Sequence, residues 1–471
     1  MNFSALFIVI WFQIAYAAVN NAARLDILAL DDIPSQVIDS GVLNNTVVFG
    51  YTYESGIKVD EIAWDSLTHL VLAFFQVEPS GNVRVSSSSI DSLVAAAHKN
   101  SVKVLGSIGG AGDGSVTLTK ALSTSKGQAN LAKSLAAIIA KFNLDGIDYD
   151  LEFPETSDEL ANLYGGLRAM RSSLGSASGE HKLLTMTLYS SKGLFGPKLK
   201  QTDAKPFSDI VDYGLLMSYD YFGGFSEISA PNSPFYDIPG YQGLSFTSSI
   251  SAWLKNNWDP KKLVAGFPFY GRTAIVHNDG ELTTQFMPNS GEAAPSGPVN
   301  KIPGAWAWND IRDPKKGALK LAAVANNGWQ RFWDSKTMTP WLFHNASSTY
   351  LGYDDPESLS IKANYIITKG LGGAMVWMVQ YDYNRELESV MKNYTAACSR
   401  ITWLAAAAAE ASSLAEESSS EAESSSSIDE EEGGSSDDDM LDDIDPSSTS
   451  LSTILLPSWL YILVICIAFN F

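Results

Sequence analysis

Eight stretches of the chain concentrate β-branched, aromatic and aliphatic residues, and most gaps between them repeat apolar residues at helical spacing. The stretches are TVVFGYTYE from Thr46, LTHLVLAFF from Leu67, VKVLGSIGG from Val102, LDGIDYDLEF from Leu144, LLTMTLYS from Leu183, VDYGLLMSYDY from Val211, KLVAGFPFYG from Lys262 and GLGGAMVWMVQYD from Gly370. Helical patterns cover 89–100, 126–142, 157–174, 248–257 and 356–369; the gap at 55–66 is weakly helical and that at 190–212 ambiguous. Eight buried strands alternating with helices predict an α/β fold, a (β/α)8 TIM barrel. A doubly wound sheet would need a glycine-rich phosphate turn after the first strand, and GYTYESG is not one. The gap between Gly271 and Thr349 is too long for a bare loop. It predicts a small α+β insertion after strand seven, over 273–349, on the face where the loops following barrel strands gather.

The fourth stretch departs from barrel practice. In LDGIDYDLEF, Asp148, Asp150 and Glu152 alternate with Ile147, Tyr149, Leu151 and Phe153. A strand places alternate residues on one face, so the acids point inward and the apolar set meets the helix layer. Barrel interiors ordinarily hold Val, Ile and Leu. A buried ion-pair network would need Lys or Arg at neighbouring inward positions, and the strand runs supply almost none, Arg272 excepted. Stacked carboxyls repel, so their protons do not leave independently. Glu152 is nearest the barrel mouth, where apolar neighbours and Asp150 raise its pKa and leave it a proton to donate. Asp150 is placed to orient a group at the reacting centre, and Asp148, deeper, to share a proton with Asp150.

Composition narrows the function. The net charge of −21 is uneven: fifteen acids lie between Glu410 and Asp445 and no Lys or Arg follows Arg400, so the rest carries only −6. No basic nucleic-acid footprint exists. Two cysteines, Cys398 and Cys466, exclude a disulfide framework. No zinc, P-loop or serine-hydrolase motif occurs, and no metal or cofactor is expected.

Both ends read as addresses. Residues 1–17 hold a short apolar run ending Ala15-Tyr16-Ala17, which suits a secretory signal peptide. An extension follows over 18–45, then the catalytic region over 46–398. AAAAAEASSLAEE suggests a brief helix opening a Ser/acidic linker over 399–450 that is otherwise extended and solvated. The tail, 451–471, is apolar and uncharged; after a polar spacer this resembles a lipid-anchor (GPI) signal attached between Gly434 and Ser448. A tail-end transmembrane helix would usually be followed by Lys or Arg. Asn44, Asn345 and Asn393 begin N-x-[ST] glycosylation signals.

DGIDYDLE resembles the D-x-x-D-x-D-x-E motif of family 18 glycoside hydrolases, the chitinases and their relatives, with Asp145, Asp148, Asp150 and Glu152 on its fixed positions. SIGG (Ser107, Gly109, Gly110) resembles that family's strand-three motif, MSYD (Met217, Tyr219, Asp220) its strand six, and GFPFYGR (Tyr270, Arg272) its strand seven in insertion-bearing members. GLGGAMVWMVQYD resembles strand eight, with Trp377 as the floor of the sugar site. The resemblance implies substrate-assisted retaining cleavage of chitin or chitooligosaccharides by a monomer. Glu152 is then the acid, Asp150 and Tyr219 hold the acetamide, and Asp148 manages the charge on Asp150. Met217, Asp220, Tyr270, Arg272, Tyr51 and Phe74 become sugar-contact candidates. Asp145, Ser107, Gly109 and Gly110 become supports. Relatives that cut N-glycan cores or only bind sugar share much of this pattern. Trp often stands where this chain has Ala111 and Leu151, which lessens the expected grip on long chains.

Overall fold

The computed structural model describes residues 33–39, 41–53, 57–85, 89–175, 181–191, 193–277, 282 and 284–426. The expected signal segment and apolar tail lie outside them. Eight strands form the core: β1 (Val47–Tyr53), β2 (His69–Val77), β3 (Lys103–Gly109), β4 (Gly146–Asp150), β5 (Leu183–Leu188), β6 (Tyr213–Leu216), β7 (Leu263–Pro268) and β8 (Gly373–Trp377). Each pairs in parallel with the next, and β8 returns to β1, closing the (β/α)8 barrel. All five residues of β4 are buried, because both barrel interior and helix layer exclude water.

Local chemistry sets the helix ends. Thr124 accepts from the Gly127 amide to start helix Ser125–Phe142, and Asn143 ends it in the left-handed region. Helix Pro356–Lys369 starts with Asp355 accepting from the Glu357 and Ser358 amides and Pro356 in its first turn, and Gly370 closes it. Two helices, Asp113–Leu122 and Ser125–Phe142, lie between β3 and β4. The gap at 55–66 holds only 3₁₀ turns in its described part, and 190–212 contains one short helix, Lys205–Ile210.

The insertion starts earlier than 273 and ends later than 349. Strand Tyr270–Ile275 follows β7 almost directly and pairs with Ala305–Ala307 and Thr349–Gly352; Thr339–His344 and Trp329–Asp334 complete a five-stranded antiparallel sheet. Its buried aromatic core includes Trp341, Phe343 and Tyr350.

The chain divides into one unit ending at Glu410 and another starting at Ala411. Helix Glu388–Ser426 ends the described residues, so its course exceeds the brief helix expected there and occupies the first part of the expected linker. The alanine run from Ala405 favours helix more strongly than the flanking serines oppose it. Among the described residues, no helix is long and apolar enough to cross a membrane. Asn44, Asn345 and Asn393 are all exposed.

Candidate active site

The inward positions of β4 meet hydroxyls rather than cations. Asp148 Oδ2 accepts from the Tyr51 hydroxyl at 2.8 Å and Ser107 Oγ at 2.7 Å, while its Oδ1 accepts from Thr185 Oγ1 at 2.7 Å. Ser107 and Thr185 sit directly across from Asp148 on β3 and β5. Asp150 Oδ1 accepts from Thr187 Oγ1 at 2.8 Å. Burial raises both acids, against which the hydroxyls pull Asp148 down. Asp150 goes furthest, since the charges on Glu152 and Asp148 add to its burial. Three hydroxyls thus cage Asp148 and fix its carboxyl beneath Asp150.

β4 ends at Asp150, short of the expected Phe153, so Glu152 stands just past the strand at the mouth. Its amide donates to Ser115 Oγ at 2.7 Å, and Ser115 Oγ donates to the Gly110 carbonyl at 2.7 Å. Burial first, then the charge on Asp220, pushes the Glu152 carboxyl up to about 7.

Gly109 and Gly110 make this junction possible. Both have positive φ, and a Cβ on Gly109 would meet the Asp150 carbonyl oxygen at 2.1 Å. The Gly110 amide donates to that same carbonyl at 2.8 Å. The glycines therefore let β3 approach the end of β4.

A cavity of about 390 Å³ opens over these acids. Asp150, Glu152, Tyr51, Met217, Tyr219, Asp220, Tyr270, Arg272 and Trp377 all line it. Arg272 grips Asp220 through two hydrogen bonds, Nε to Oδ1 at 2.6 Å and Nη2 to Oδ2 at 2.7 Å, and the Tyr270 hydroxyl donates to the same Oδ1 at 2.7 Å. The strand-borne cation thus serves Asp220, and among the described residues no ion pair reaches Asp148 or Asp150. Among the described contacts the Tyr219 hydroxyl reaches only Met375 Sδ, a weak acceptor at 3.7 Å, so a carbonyl entering the cavity is a better partner.

Two candidates lie elsewhere. Phe74 is absent from the cavity wall: its ring stacks on Trp377 at 6.0 Å, and the sugar contact expected of it becomes support for that indole. Asp145, at the opposite end of β4, accepts from the Val104 amide at 2.7 Å and pairs with His98 at 2.8 Å, joining two strands at the barrel floor.

Several residues of the site escaped the sequence reading. Thr187, on the cavity wall, and Thr185, beneath it on Asp148, were visible as hydroxyls alternating with Leu184 and Met186 in an otherwise apolar strand. Tyr53 lies edge-on to Trp377 at 6.2 Å. The insertion contributes Ile302, Ala305 and Ala307, and Tyr381 comes from beyond β8. Ala111 is on the wall too, giving that side a methyl group where an indole was the alternative. Phe225 is 67% exposed, with the Arg272 guanidinium 6.0 Å from its ring centre.

This arrangement sets a half-buried proton donor beside a second buried acid under an aromatic floor, which suits acid cleavage of a bond in a polar, ring-shaped substrate. Comparison with known proteins agrees. The model of glycosyl hydrolases family 18 matches residues 46–382. Chitinase A1 of Niallia circulans is 28% identical over 286 residues, 55% of this chain and 38% of its own. An endochitinase of Manduca sexta is 25% identical over 351 residues, 69% of this chain and 60% of its own. The chain thus spans less than two thirds of each of these two relatives. Among solved structures, a Rhizomucor miehei chitinase superposes with a TM-score of 0.67 at 24% identity, over 74% of this chain and all of that one. A class V chitinase of Nicotiana tobaccum, solved with NAG4, gives 0.65 at 22% identity, over 74% of this chain and 99% of that one. With the match running from the first barrel strand to just past the last, the chain belongs to glycosyl hydrolases family 18.

Proposed function

We propose that this protein is a chitinase that hydrolyses β-1,4-N-acetylglucosamine linkages with retention, using the substrate's own acetamide as nucleophile. The observation that carries the reading is Glu152, raised to about 7 at the mouth of a cavity that also receives Asp150 and Tyr219. The chitinase names of the relatives and the NAG4 held by the tobacco protein support the substrate class. Glu152 protonates the glycosidic oxygen. The acetamide carbonyl oxygen attacks its own anomeric carbon, and the leaving sugar departs with that proton. Tyr219 donates to the acetamide, Asp150 accepts its N–H and offsets the positive charge of the oxazolinium ring, and Asp148 stays fixed beneath. Water, deprotonated by Glu152, then opens the ring. Trp377 provides a face for the sugar ring.

Parallel assays on chitotetraose and on a high-mannose glycopeptide test the assignment. Release of shorter chitooligosaccharides with an inert glycopeptide is expected; the reverse would assign cleavage of N-glycan cores, and binding without product would leave a lectin.

The sequence ends support secretion and attachment to the outer membrane face through a lipid anchor, with the acidic serine-rich segment as spacer. Phosphatidylinositol-specific phospholipase C is expected to release the protein from cells. Retention after complete digestion would count against the anchor.

A further inference from the structure

The barrel buries a lysine that the proposed reaction does not use. Lys362, on helix Pro356–Lys369, and Asp354, just before that helix, are both fully buried, with Nζ 2.7 and 2.8 Å from the two carboxylate oxygens. Burying two charges is costly, and a well-packed apolar pair is often at least as stable. The ammonium has another destination. It donates to the Ser233 carbonyl at 2.7 Å and to Ser233 Oγ at 2.8 Å, 129 residues earlier in the chain.

Ser233 leads into the site. Its hydroxyl donates to the Ser218 carbonyl at 2.6 Å. Its neighbour Asn232 accepts the Asp220 amide at 3.0 Å through Oδ1 and donates through Nδ2 to the Tyr270 carbonyl at 3.0 Å. Residues 232–233 therefore hold the backbone on both sides of Tyr219. Asp220 needs such a hold: its φ of +59° is left-handed, a conformation an aspartate adopts at some cost. Asn232, Ser233 and Ser218 are all buried, so water cannot replace these contacts.

We infer that Lys362 is a positioning residue, fixing Tyr219 and Asp220 through Ser233 while Asp354 balances its charge. The catalytic consequence rests on the chitinase reading; the mechanical link does not. A small displacement of groups that hold a reacting acetamide is enough to cost rate.

The test is the double variant Lys362→Met/Asp354→Asn, which removes the charges together, beside Ser233→Ala, which deletes one oxygen. Each is assayed on chitotetraose and by amide hydrogen exchange over residues 217–221, with the thermal midpoint as a check on folding. Exchange in that segment is expected to quicken selectively, and kcat to fall about tenfold with KM changed by less than about twofold. Should the double variant not fold, Ser233→Ala carries the same expectations. An unchanged kcat in a folded variant overturns the inference, as does a lowered kcat with unaltered exchange in 217–221. If the wild-type protein leaves chitotetraose intact, the chitinase reading fails, and exchange alone decides whether Lys362 holds the segment.

Discussion

Replacing Glu152 by Gln is expected to lower kcat on chitotetraose by about 10³-fold while substrate binding persists, since general acid–base catalysis commonly contributes factors of about 10²–10⁴. Gln keeps the length of the side chain but has no proton to transfer and cannot act as base afterwards. The Glu152 amide is held by Ser115 through the backbone, a contact the substitution leaves in place. The wild-type pH profile carries the same signature. A carboxyl raised to about 7 by burial and by Asp220 is protonated below that pH and loses its proton as pH rises through it. kcat/KM should therefore hold in mild acid and decline about tenfold per pH unit above about 7, with Glu152→Gln flattening that limb in whatever activity remains. Retention of more than about a tenth of wild-type turnover would remove Glu152 from the role of acid.

The sequence disclosed the acids because a strand's two-residue period is strict: once β4 is inside a barrel, Asp148 and Asp150 can only share a face, and Glu152 follows them just past the strand end at the mouth. Neighbours on other strands were harder to read. Ser107 and Thr185 flank Asp148 through the register of β3 and β5, which depends on how three strands separated by helices align. The alternating Thr185 and Thr187 hinted at an inward polar stripe, yet nothing local assigned each hydroxyl to its acid. Arg272 was legible as a lone cation, but its partner Asp220 lies 52 residues away and the pairing exists only when the sixth and seventh strand ends meet. The insertion's length announced a subdomain; that its strand Ala305–Ala307 supplies part of the cavity wall followed from the sheet pairing. Phe74, at a strand end, suited core and cleft equally in the sequence; in the structure its ring stacks on Trp377.

A second large loss is expected from Asp150→Asn, by about 10²–10³-fold in kcat, the range seen when one preorganised electrostatic contact to a transition state is deleted. The substitution keeps the volume and an oxygen for the Thr187 hydroxyl. It replaces the oxygen that would accept the acetamide N–H with a donor, and removes a carboxyl whose ionised form offsets the oxazolinium as that charge develops. Folding should not suffer. The Asp150 carboxyl is raised well above its ordinary value by burial, with Glu152 and Asp148 adding to it. The native state therefore holds a proton that the unfolded chain releases near pH 4, so stability falls as pH rises from the unfolded value toward the native one. A neutral Asn lacks that penalty, and the thermal midpoint at pH 7 should equal or exceed that of the wild type. Leaving-group chemistry separates this lesion from that of Glu152→Gln. A chitobioside of 2,4-dinitrophenol needs little protonation to depart, so the burst of dinitrophenol should recover substantially in Glu152→Gln. It should stay depressed in Asp150→Asn, because the ring must still form against an unstabilised cation. Equal rescue of both variants would show that Asp150 acts only through the proton of Glu152, and kcat within about threefold of wild type would remove it from the acetamide altogether.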